Sequence, residues 1–94
     1  MKPTYQAAAF ARYSHHADMR MQQRCIPADA VELLLDYAEP RLAGGGARSY
    51  RFTRTSWAEA RAALGAVAPA FAKFRNAYVV ESSDGVIITA AWRH

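Results

Sequence analysis

Residues 77–92 read AYVVESSDGVIITAAW. Two runs rich in valine, isoleucine and aromatic residues flank Ser83-Asp84-Gly85, and turn chemistry of that kind joins antiparallel strands. A lone hairpin is marginal in water and needs a helical layer over one face. The sequence before it supplies that layer. PADAVELLLDYAE, residues 27–39, puts Val31, Leu34, Leu35 and Ala38 on one helical stripe, with Pro27 suited to its first turn and Pro40 stopping it. Ser14 is placed to cap an earlier helix over residues 15–24. There Ala17, Met21 and Cys25 share one side, with His16, Arg20 and Arg24 in the adjacent row along its border.

RSYRFTR, residues 48–54, alternates as a strand, with Tyr50 and Phe52 on one face and Ser49, Arg51 and Thr53 on the other. SWAE, residues 56–59, has the form of a capping box opening a helix through Leu64, and a further helical piece is expected over 69–75. Gly44-Gly45-Gly46 reads as a flexible turn, since no Lys-Ser/Thr pair or helix start follows to make a phosphate loop. The order becomes α-α-β-(β)-α-β-β, with no stretch assigned to the bracketed strand. This is an α+β fold: two N-terminal helices, a further helix, and a small antiparallel sheet ending in the C-terminal hairpin. Residues 1–13 are read as an extension and 14–94 as a single domain.

Composition narrows the function classes. The 52% hydrophobic content of 94 residues fits one ordered domain. No apolar run approaches the roughly 20 residues that span a bilayer. MKPTYQAAAFARYS makes a poor signal peptide, and a single cysteine fits a reducing compartment, so the expected location is cytoplasmic. Ten of the twelve basic residues are arginine and the net charge is +4. Arginine's planar donor fork suits phosphate, which points to RNA or to an acidic protein as partner, although a GC-rich genome also enriches arginine. The charge is polarised: Asp29, Glu32, Asp36 and Glu39 fall together, whereas Arg41, Arg48, Arg51, Arg54 and Arg61 face only Glu59.

The chemistry follows by elimination. His15 and His16 are adjacent, so on a helix they point about 100° apart; with no HxxxH, HxxE or CxxC spacing, no metal or cofactor is expected. Cys25 ends a helix, where the dipole disfavours a thiolate, and reads as a small packing residue. No G-x-S-x-G is present. Metal-independent RNA cleavage remains. It needs a proton-transfer group, for which His16 serves, and cations on the phosphorane, for which Arg20 and Arg24 lie in the same row. Arg51, Arg54 and Arg93 would approach from the sheet to hold phosphate, while Tyr78 and Trp92 would stack on bases. The competing reading gives these residues structural work and makes the chain a non-catalytic module whose basic face docks an acidic protein. Either reading is compatible with a homodimer through an exposed hairpin edge.

Ser14-x-His16-Ala17-x-x-Arg20-Met21-x-x-Arg24-x-Ile26-Pro27 resembles the opening of a family of small bacterial domains of unknown function, whose pattern is S-x-H-A-x-x-R-M-x-x-R-G-I. The similarity continues through Val31–Tyr37, Ala63-Leu64-Gly65, Ala77–Val80 and Asp84–Thr89. That family is similar in element order to the RelE-like toxins of the barnase/colicin ribonuclease group. The resemblance implies a toxin-like ribonuclease, with His16, Arg20, Arg24 and Arg93 as its characteristic polar residues; on the non-catalytic reading the acidic partner would be an antitoxin or another regulatory protein. Three departures stand out. Trp92 occupies a position where relatives carry histidine, Thr53-Arg54 replaces an acidic-basic pair, and Cys25 stands where the pattern has a glycine suited to a left-handed helix cap. If the family's catalysis uses that histidine, Trp92 implies a member that binds without full activity.

Overall fold

A computed structural model describes residues 13–93. Apart from Tyr13, the extension assigned to residues 1–13 lies outside the described residues, as does His94. The chain runs α1 (His15–Gln23), α2 (Ala28–Tyr37), β1 (Glu39–Leu42), β2 (Arg48–Arg51), α3 (Arg54–Leu64), a single turn α4 (Ala68–Phe71), β3 (Ala77–Glu81) and β4 (Ile87–Trp92). The strands form one antiparallel sheet in the order β1-β2-β3-β4. The fold is α+β and closes with the hairpin of residues 77–92, whose turn is tied by Ser82 N–H to Val86 O at 2.8 Å and Gly85 N–H to Ser82 O at 3.0 Å. Among the described residues, no helix is long and apolar enough to cross a membrane.

Strand alternation gives the sheet two unlike faces. Tyr50, Val79 and Ala90 stand in register across β2, β3 and β4, and all three are buried. They join Val31 and Leu34 of α2, Trp57 and Ala60 of α3, and Ala17 and Met21 of α1 in one core. Phe52 meets Trp57 edge to face at 5.3 Å. One residue along, Arg51, Tyr78 and Ala91 form the next register row, which alternation turns to the opposite face.

The placement of α1 fixes everything that follows. Tyr13 bridges Ile87 in parallel, and Ser14 N–H donates to Ile87 O at 2.9 Å, so the chain enters beside the start of β4. Ser14 Oγ then accepts from Ala17 N–H at 3.0 Å, the cap expected from the sequence. Ten residues later Arg24 reaches Ala90 near the other end of the strand. Helix and strand thus run the same way along one edge. The helix closes with Cys25 N–H to Gln22 O at 3.4 Å and Ile26 N–H to Met21 O at 2.9 Å, a Schellman motif that needs a left-handed residue between them. Cys25 fills that role at φ 55°.

Four expectations need correction. Cys25 is exposed and does not pack, because a left-handed backbone swings its side chain off the α1 stripe. The capping box of α3 is Thr53–Ser56 rather than Ser56–Glu59: Ser56 N–H donates to Thr53 Oγ1 at 3.0 Å and Thr53 N–H to Ser56 Oγ at 2.8 Å. The strand over 48–54 therefore stops at Arg51, and the helix begins three residues earlier than the sequence suggested. The helical piece over 69–75 is one α turn between 3-10 segments Gly65–Val67 and Ala72–Asn76. Finally, α2 ends at Tyr37 with Ala38 extended, and the strand left unassigned is β1, on the far side of β2 from the hairpin.

A candidate anion-binding cleft

Of the eight residues singled out from the sequence, five converge. Arg24, Arg51, Arg93, Tyr78 and Trp92 line one open cleft of about 660 Å³, together with Ser49 and Ala91. Its floor is the outward row of the sheet, Arg51-Tyr78-Ala91, with Ser49 two residues along β2 on the same face. Arg24 arrives from the end of α1 and Arg93 from the end of β4. Ala91 has only a methyl group to offer, which leaves room above the strand.

Two of the three arginines are anchored by part of their fork. Arg24 Nη1 donates to Ala90 O at 2.9 Å, and Arg93 Nη1 to Phe52 O at 3.1 Å. The Arg93 backbone N–H is tied to Asn76 O at 2.6 Å. A guanidinium has five N–H donors, so these bonds orient the group and leave others for a ligand. Among the described residues, no carboxylate pairs with Arg24, Arg51 or Arg93. The acid of β3, Glu81, is taken by Arg48 at 3.5 Å and by the Tyr50 hydroxyl at 3.1 Å. Among the described residues, the cleft is therefore lined by three cations and no anion, the arrangement that attracts a phosphate and rewards a bidentate contact.

The aromatic residues divide. Tyr78 is half-buried on the cleft floor. Trp92 instead lays its indole on Phe74, with centroids 5.8 Å apart and planes 15° apart, and donates Nε1–H to Arg24 O at 2.9 Å. One face of its ring is therefore engaged with Phe74, while the residue still lines the cleft.

Three predicted residues stay outside. His16 is exposed near the start of α1, and its Nε2 accepts from Arg20 Nε–H at 3.4 Å. Eight helical residues separate it from Arg24, about 12 Å along the axis. Arg20 spends another donor on Gln23 Oε1 at 3.1 Å. Arg54 is exposed at the first turn of α3, away from the cleft. Sequence reasoning passed over Ser49 as a site residue, although its alternation with Arg51 already put the two on one face. A second groove of about 530 Å³, lined by Met21, Ile26 and Phe74 with Asp18 and Lys73, runs beside Cys25. Among the described residues, no group of three or more His, Cys, Asp or Glu is arranged to hold a metal ion. No family model matches the chain, and no curated protein or solved structure compared with it matches either.

Proposed function

We propose that the chain is an RNA-binding domain that grips single-stranded phosphodiester in the sheet cleft, as a toxin-like relative of the RelE ribonucleases would. Arg24, Arg51 and Arg93 take the phosphate oxygens, and Tyr78 offers a face for one base. The observation that carries this reading is the meeting of three carboxylate-free arginines around a tyrosine on an open β face. Single-stranded nucleic acid suits such a site better than duplex, because splayed bases can stack on an aromatic ring between phosphate contacts. Any cleavage by this chain would use the 2′-hydroxyl as nucleophile. His16 would then have to act on a strand that leaves the cleft and runs back along α1.

Binding of a short fluorescent RNA, read by anisotropy across a salt series, tests the proposal. Three phosphate contacts predict a slope of log K against log[salt] near −2, from about −0.7 per contact on a single strand. Arg51→Ala should weaken binding about tenfold and flatten the slope by roughly one contact. Salt-insensitive binding, or an Arg51→Ala variant that binds like the parent, would overturn it. Tight capture of an acidic protein with no RNA affinity would favour the interaction-module reading instead. RNA integrity in the presence of chelator, for the parent and for His16→Ala, then decides whether cleavage occurs and whether His16 takes part.

A further inference from the structure

Arg24 is gripped by β4 from two directions at once. Its Nη1 donates to the Ala90 carbonyl, and its own carbonyl accepts from the Trp92 indole, both at 2.9 Å. Arg24 is the C-cap of α1, with φ −103° and ψ 4°, so its carbonyl lies outside the helical ladder and would otherwise look to water. The Schellman bonds nearby use the carbonyls of Met21 and Gln22, leaving that of Arg24 to the indole. The indole is itself fixed, stacked on Phe74, which is 5% exposed. A chain of contacts therefore runs from a buried ring through Trp92 to the backbone of Arg24, and from there to its guanidinium at the rim of the cleft.

We infer that Trp92 is a positioning residue: its indole N–H holds the end of α1 so that Arg24 presents its free donors to a ligand in one orientation. An arginine already ordered loses less freedom when it grips an anion, so the clamp raises affinity without Trp92 touching the ligand. This differs from the base-stacking role expected of Trp92 from the sequence. The clamp stands on the geometry of the free protein; its effect on affinity rests on the RNA-binding reading above.

Trp92→Phe keeps an aromatic ring on Phe74 and removes only the donor. Nitrogen-15 relaxation of the Arg24 Nε–H reads the clamp directly. A rigid side chain, with an order parameter of about 0.85, is expected in the parent, falling below about 0.6 in the variant. RNA affinity should drop about fivefold in Trp92→Phe. The double variant Arg24→Ala/Trp92→Phe should bind no more weakly than Arg24→Ala alone, since the tryptophan acts through the arginine. An unchanged Arg24 order parameter overturns the inference, as do additive losses in the double variant. Should the parent bind no RNA, the functional reading fails and the relaxation measurement still decides the clamp. Should Trp92→Phe not fold, hydrogen exchange of the Trp92 indole N–H in the parent replaces it: slowed exchange supports the clamp, and free exchange overturns it.

Discussion

Cys25 sits at φ 55°, a backbone region that glycine enters freely and a residue bearing Cβ enters at a cost of about 1 kcal/mol. Cys25→Gly should therefore stabilise the domain by up to about 1 kcal/mol, a rise of roughly 4–8 °C in Tm for a domain of this size, measured by thermal or urea unfolding. The structure gives the reason: the Schellman closure of α1 requires a left-handed residue at this position. His16 makes the contrasting case. It shares a helical row with Arg24, yet a helix row extends in space, and about 12 Å separates the two. His16→Ala should leave RNA affinity within about twofold of the parent in the anisotropy assay; a loss comparable to that of Arg51→Ala would move the binding site onto α1. The row was correct as periodicity and misleading as proximity.

Among the elements, α3 and β1 carry the clearest consequences. Thr53 and Ser56 satisfy each other's backbone N–H groups, and Ser56 is buried at 2% exposure with its side-chain hydroxyl bonded to Thr53. Thr53→Ala should cost about 1 kcal/mol of stability, read as a lower urea midpoint with an unchanged m-value. The box was missed in the sequence because Ser56–Glu59 and Thr53–Ser56 are both plausible caps, and the end of β2 decides between them. Strand β1 is exposed along its whole length and forms an open edge of the sheet. Ala43 N–H points inward to Ala47 O at 2.9 Å, so two-residue alternation turns the backbone of Pro40 outward. Proline has no N–H to offer there, which blunts the edge against pairing with another chain. Pro40→Val should increase self-association at high concentration, seen as a larger weight-average mass in sedimentation. The opposite edge, along β4, is occupied by Tyr13 and α1.

At the scale of the whole molecule, the sheet separates the core from the face that carries the proposed binding cleft. One face buries Tyr50, Val79 and Ala90 under α2 and α3; the other carries Arg51 and Tyr78. Substitutions on the two faces should have separable effects. Leu34→Ala, fully buried, should lower stability by about 2–5 kcal/mol and impair binding only through unfolding. Arg51→Ala should leave the unfolding curve nearly unchanged while lowering affinity and salt dependence. The sequence by itself determined the α+β class, the terminal hairpin, the α2 core stripe, Ala17 and Met21 of α1 and the Ser14 cap, because these depend on periodicity and on contacts a few residues apart. It also placed Ser49 and Arg51 on one face. Only the tertiary structure decided that α1 runs alongside β4, which delivers Arg24 to the cleft and leaves His16 and Arg20 outside it. That choice depends on contacts such as Arg24 to Ala90 and Trp92 to Arg24, 66 and 68 residues apart, which no local pattern encodes.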